Sequence, residues 1–272
     1  PEENYGTHYS AISQLIYKLT SEMTSAGYAY KIDTDLRPEG GAGVLVMSIA
    51  GYQHYFKTRA RIWEQQAMVR SRVVAGNQEV GEKFMERVHD FVFKDEFEYS
   101  ALIEISRMRE RMELELAQEK TKGKNVKLGF GGIADIEFAM QILQLIHGKK
   151  NQRLRMANTM SALDMFIAQG MIDRIKASQA KVNYLFLRRL ECALRIISET
   201  PTNNLPKEVC DLAQLARLMS YTGNEEDKLA NALLEDYEKQ TVQMRVYYRE
   251  TIGQLLRTGP RSFSAEENKN RP

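Results

Sequence analysis

Apolar residues recur at helical spacing from near the start of the chain almost to its end. Ile12, Leu15, Ile16, Leu19 and Met23 make the first such stripe, and Gly27 ends it. From Tyr28 to Leu36 the period shortens to two. Tyr30, Ile32, Thr34 and Leu36 then share one face, and Lys31, Asp33 and Asp35 the other, the pattern of a strand with an acidic face. Pro38 and the run Gly40-Gly41-Ala42-Gly43 turn the chain, Val44 to Met47 reads as a second strand, and Ser48 stands where a helix N-cap belongs. A small β-hairpin is therefore expected after the first helix.

Beyond Ser48 the periodicity predicts only helices, at 50–72 in two pieces, 77–93, 97–120, 132–148, 152–169, 172–199, 206–221 and 224–257. The joints between them, such as "KTKGKNVKLGFGG" (Lys120 to Gly132) and "ETPTNNLPKE" (Glu199 to Glu208), are rich in helix breakers. No segment repeats at the period of a solenoid. The expected fold class is mainly α, a helical bundle preceded by a short α+β part. The expected divisions are 1–75, 76–258 and a polar, disordered tail at 259–272.

Composition is neutral about partners. A net charge of +2 over 272 residues gives no reason to expect nucleic acid or a membrane surface. The longest nearly uncharged apolar run, Ala42 to Tyr52, is far shorter than the roughly 20 residues of a membrane span. Cys192 and Cys210 stand in helical runs without a ligand cluster, so they read as structural thiols of a protein in the reducing cytoplasm. A chain that opens on Pro1 rather than methionine reads as part of a longer polypeptide.

Four stretches could carry chemistry. Asp33 and Asp35 on one strand face would stand about 6.5–7 Å apart, close enough to share a divalent cation with a nucleotide's phosphates. A solvated acidic edge strand would look the same. Arg37 could clamp a phosphate or simply pair with Glu39 or Asp35. Gly131 and Gly132 precede a helix carrying Asp135 and Glu137, whose start could meet an anion or merely be a glycine-broken helix end. There Ile133, Ile136 and Met140 should face the core, with Asp135 and Glu137 on other faces. Arg70 and Arg72, two apart, would align only on an extended segment. The four histidines show no ligand spacing, and there is no sign of a nucleophilic triad.

Together, "IDTDLRPEGGAGVLVMS", "WEQQAMVRSRVVAG", "VKLGFGGIADIEFAMQILQLIHG", "RMANTMSALDMFIAQGMI" and "YLFLRRLECALRI…LP" resemble, in order and spacing, the glutamine synthetase adenylyltransferase/adenylyl-removing enzyme family. The resemblance runs from about Tyr28 to Pro206. It implies the later part of a DNA-polymerase-β-like nucleotidyltransferase domain, residues 1–75, followed by a helical bundle. It also implies AMP transfer from ATP, with Mg2+, to or from a tyrosine of glutamine synthetase, and glutamine synthetase and the PII signal protein as partners. Asp33 matches the third of three metal carboxylates and is the implied catalytic residue, with Asp35 as the second metal candidate. Arg37, Gly131 and Gly132 become nucleotide-binding candidates, and Asp135, Glu137, Arg70 and Arg72 further ones.

Two departures shape the expectation. The family usually has arginine where this chain has Asp35. No Gly-Ser-x-Asp-x-Asp strand precedes Asp33, so the first two metal carboxylates are expected to be missing. Two functions follow: part of a magnesium-dependent adenylylating or de-adenylylating enzyme, or a non-catalytic helical module that binds glutamine synthetase or PII.

Overall fold

The computed structural model describes residues 2–30, 32–198 and 202–258, with the side chains of residues 2–5 and 258 excepted. The predicted tail at 259–272 lies outside the described residues. The chain divides into two compact units, one through Val92 and one from Phe93 onward.

In the first unit, helix α1 (Glu2–Ser21) begins well before the predicted stripe, and its apolar residues Ile12, Leu15, Ile16 and Leu19 are exposed. A tight turn follows, in which Thr24 and Gly27 exchange backbone hydrogen bonds of 2.9 and 3.0 Å. The Ser21 hydroxyl donates to the Tyr30 carbonyl and accepts from the Ile32 N–H, folding the chain back on the end of α1.

The predicted hairpin is not formed. Among the described residues, β pairing is confined to two isolated bridges, Thr24 with Gly27 and Asn125 with Asn204. A lone two-stranded ribbon is marginal in water, and here Arg37 takes the carbonyls a ladder would need. Its guanidinium donates to the carbonyls of Gly43 (3.1 Å), Thr34 (2.8 Å) and Gly41 (3.0 Å). The alternation of apolar and polar residues was real, but the segment is an arginine-stapled loop with a turn of 3-10 helix at Gly40–Ala42.

Ser48 caps α2 (Ile49–Thr58) as predicted, its hydroxyl accepting from the Gly51 N–H at 3.1 Å. Helices α3 (Ile62–Met68) and α4 (Gln78–Val92) follow, and α4 packs on both α2 and α3. Phe56 of α2 stacks on Phe91 of α4 with ring centroids 4.3 Å apart, and Tyr52 meets Phe84 edge-on at 4.9 Å. Buried Gln65 donates to the carbonyls of Phe91 and Val92, satisfying the open end of α4.

The second unit is a helical bundle. Helix α5 (Tyr99–Arg111) closes in a π turn at Met112–Leu116, and α6 (Glu119–Lys122) is a single turn. Then come α7 (Ile133–His147), α8 (Thr159–Ala168), α9 (Arg174–Ser198), α10 (Val209–Leu218) and α11 (Glu226–Thr258). Helix α8 starts later than periodicity predicts because Asn158 caps it, accepting from the N–H groups of Met160 and Ser161 at 3.0 Å each.

Helix α7 is the axis of the core. It packs on α5, α8, α9 and α11, and is buried almost all round, as its continuous apolar run allows. Cys192 and Cys210 are free and exposed, so neither fills the core.

Candidate functional site

Within the first unit an open groove of about 1370 Å³ runs along the stapled loop. Asp33, Arg37 and Arg72 line it, together with Tyr52, Ile49 and Phe84. Three of the residues singled out in sequence thus share one wall system, although they come from two separate motifs. Asp35 and Arg70 are exposed outside it.

The loop's own chemistry occupies part of this set. Asp33 is exposed, and its Oδ1 accepts from the Asp35 N–H at 2.9 Å, so the carboxylate folds onto its own backbone. The two aspartates therefore do not stand side by side as on a strand. Arg37 also donates to the Thr34 hydroxyl at 2.7 Å, so four hydrogen bonds are spent within the loop. Tyr52 is half-buried, and its hydroxyl is pushed above the usual tyrosine range by burial, with Arg37 pulling it back. Behind the loop, Tyr55 donates to Glu64 at 2.6 Å and accepts from the Glu39 N–H, pinning the loop to α2 and α3.

Chemically, the groove offers apolar walls, one exposed guanidinium at Arg72 and one carboxylate at Asp33. That suits an amphiphilic anion, with a flat apolar part on the wall and its charge at Arg72. Asp33 and Asp35 form no metal cluster. Among the described residues no group of three His, Cys, Asp or Glu side chains could hold a metal ion. The donors present do not fit a complete magnesium site.

The glycine-rich start of α7, in the second unit, serves packing. The N–H groups of Ile133 and Ala134 donate to the carbonyls of Val126 and Lys127 at 3.0 Å each, and that of Asp135 donates to the Gly132 carbonyl. These donors, which the sequence left open for an anion, are satisfied by the loop itself. Gly131 has φ +63°, and a Cβ there would stand 1.8 Å from the Thr241 carbonyl of α11. Only glycine permits so close an approach of the two backbones.

Asp135 is fully buried rather than on an outer face, because α7 has no outer face at this point. Arg109 of α5 contacts its Oδ1 at 2.8 Å through Nε, and Arg245 of α11 lies 2.8 Å from its Oδ2. Arg109 also donates to the carbonyls of Leu128 and Gly129 at 3.1 and 2.9 Å. Glu113 pairs with Arg245, and the Phe130 ring lies 4.7 Å from the Arg245 guanidinium carbon. Burial pushes the Asp135 carboxyl above the ordinary carboxylate range, while Arg109 and Arg245 act in the opposite direction. Glu137 is half-buried and accepts from the Tyr184 hydroxyl at 3.3 Å.

Arg109, Arg245 and Glu113 are absent from the sequence expectations. The one signal was phase: Arg109 continues the buried row of Leu102 and Ile105, and Arg245 adjoins that of Thr241, Met244 and Tyr248. Charge-rich surroundings such as "RMRERMELE" hid it.

Two family models match the chain: glutamate-ammonia ligase adenylyltransferase over residues 2–87, and GlnD PII-uridylyltransferase over residues 104–252. Among curated relatives, a bifunctional glutamine synthetase adenylyltransferase/adenylyl-removing enzyme of Stenotrophomonas maltophilia is 34% identical, covering 79% of this chain and 23% of its own length. The enzyme of the same name from Hahella chejuensis is 31% identical over 79% of this chain and 22% of its own. That of Shewanella loihica is 29% identical over 89% and 25%. The chain thus spans about a quarter of the length of these relatives. No helix among the described residues is long and apolar enough to cross a membrane. The chain belongs to the glutamine synthetase adenylyltransferase/adenylyl-removing enzyme family, its residues 104–252 also matching the PII-uridylyltransferase model.

Proposed function

We propose that the chain is part of a nucleotidyltransferase that adds AMP from ATP to a tyrosine of glutamine synthetase, or removes it, and so controls nitrogen assimilation in the cytoplasm. The observation that carries this is the groove. Asp33, Arg37 and Arg72 come from two motifs of the family and line one surface, inside the segment that matches the adenylyltransferase model. The first unit is then the later part of a DNA-polymerase-β-like nucleotidyltransferase domain, and the second a helical domain that follows it.

In this proposal Asp33 contributes one carboxylate to the transfer site, and Arg72 faces the charged part of the nucleotide. Arg37 holds the loop that presents Asp33, while Gly131, Gly132 and Asp135 fix the start of α7. Magnesium is the family's implied cofactor. The donors of the described residues do not make a complete site for it.

A second function is favoured by the spent donors of Arg37 and of the α7 start: a helical module that binds glutamine synthetase or PII without chemistry. One experiment separates the two. The chain is incubated with magnesium and either unmodified glutamine synthetase plus ATP or adenylylated glutamine synthetase plus orthophosphate, which takes up the AMP as ADP, and the subunit's intact mass is taken. A gain or loss of one adenylyl group that disappears with Asp33→Asn supports transfer through Asp33. An unchanged mass together with measurable binding assigns the isolated chain to the binding module.

A further inference from the structure

Helix α9 needs one apolar face to pack on α7, α8, α10 and α11, and it has one. Ala177, Ala180, Tyr184, Leu187, Leu190 and Leu194 are buried there. A second apolar row lies on the outside, where Ile175 is 82% and Ile196 69% exposed and Val182 and Leu185 are exposed between them. An amphipathic helix of a folded bundle does not require such a row.

The outer row is regular. Positions 175, 182, 189 and 196 are seven apart, and 178, 185 and 192 fall three after the first three of them, which are the a and d positions of a coiled-coil seam. Ile, Val, Arg and Ile fill the first set, and Ser, Leu and Cys the second. Along one edge, again seven apart, run Arg174, Lys181, Arg188 and Arg195. The other edge, Gln179, Phe186 and the buried Ala193, carries no charge.

The fold answers only part of the basic edge. Asp164 holds Lys181 at 2.7 Å, and the single buried carboxylate of Glu191 is shared by Arg188 at 2.9 Å and Arg195 at 2.7 Å. Counting Arg174 and Arg189, cations outnumber carboxylates along the seam. A second copy laid antiparallel would set this basic edge against itself, and a parallel copy would set it against the uncharged edge. A helix edged with carboxylates meets neither difficulty.

We propose that the outward face of α9 docks an amphipathic helix of a protein partner, one whose own apolar seam is edged by Asp or Glu. Apolar contact along Ile175, Val182, Leu185 and Ile196 supplies the affinity, and the basic edge selects the acidic partner and speeds encounter. The inference rests on α9 alone and stands apart from AMP transfer.

Cys192 gives a direct readout, since it lies on the seam and, like Cys210, is free and exposed. The full chain is mixed with a synthetic helical peptide carrying Leu at a and d and Glu at e and g, or with the same peptide carrying Lys in place of Glu. Maleimide alkylation of each cysteine is then followed by mass spectrometry. At a concentration near ten times its Kd, the Glu peptide should slow modification of Cys192 about tenfold by mass action and leave Cys210 unchanged. Protection should fall as salt is raised. The double variant Val182→Ser/Leu185→Ser should lose it with no change in Tm, both side chains being exposed. Equal protection by the Lys peptide, equal protection of the double variant, or none by the Glu peptide would each overturn the proposal. Protection of Cys192 that grows with chain concentration in the absence of peptide would give the face to a second copy and overturn it too.

Discussion

Replacing Arg109 with methionine should expose how much of the second unit depends on one buried charge cluster. Methionine keeps an unbranched stem but removes every polar contact. The Asp135 carboxylate loses its Nε partner at 2.8 Å, and the carbonyls of Leu128 and Gly129 lose donors at 3.1 and 2.9 Å. Breaking a buried pair by deleting one partner costs about 3–5 kcal/mol. Each orphaned carbonyl adds about 1–3 kcal/mol. Because Arg245 still faces Asp135 and the terms overlap, the expected net loss is about 5 kcal/mol, a large share of a domain's total of about 5–15.

The assay is urea unfolding followed by far-ultraviolet circular dichroism, with the slope m unchanged. Two controls sharpen it. Arg109→Met/Asp135→Leu should be less destabilised than Arg109→Met alone, because no buried carboxylate is then left without its partner. In the single variant Asp135 should take up a proton, so its folded pKa rises further above the unfolded value. Stability is then greatest below the unfolded pKa and is lost as pH rises through the folded one, making the variant's deficit smaller at acid than at neutral pH. A loss under about 1 kcal/mol, or a double variant as weak as the sum of its parts, would refute the cluster's structural role.

Three other outcomes are expected. Gly131→Ala should cost clearly more than Gly170→Ala in chemical denaturation: both have positive φ, +63° and +65°, but only at Gly131 does a Cβ strike backbone, whereas nothing lies within 4 Å at Gly170. The difference should be at least about 2 kcal/mol, and equal costs would leave backbone strain as the whole effect. Arg37→Lys, which cannot fork to Thr34, Gly41 and Gly43, should speed limited proteolysis between Asp33 and Val44, measured by peptide mapping; an unchanged cleavage rate would deny the staple. Burial pushes the phenols of Tyr247 and Tyr248 up to about 12 from the ordinary 10.0. Their folded pKa values lie above the unfolded one, so their contribution is intact below about pH 10 and is lost as pH rises toward about 12, about 2–3 kcal/mol for each group. Tyr247→Phe should flatten that alkaline decline in a series of Tm measurements, and an unchanged decline would remove Tyr247 from it.

Helix existence was legible because it is a local matter of spacing. The stripes at 77–93 and 224–257 reappear as α4 and α11, and Ser48 caps α2, since a cap needs only its own first turn. Family membership was legible for a related reason: five short motifs in order constrain the chain far more than any one of them.

The hairpin and the site's inner geometry were not decided that way. Period-two alternation at Tyr28–Leu36 describes which side chains share a face, not whether a neighbouring strand is present to take the backbone hydrogen bonds. Here the Arg37 side chain takes them instead. Asp135 was expected on a face away from the core because Ile133, Ile136 and Met140 already supply one core face, yet the helices packed around α7 leave no solvent face at that position. Arg109 and Arg245, 136 positions apart in the sequence, meet on one carboxylate only because α5, α7 and α11 are brought together. Local spacing determined the elements and their caps. Which polar groups were buried, and against what, was decided by tertiary packing, because burial depends on neighbours that a one-dimensional pattern does not contain.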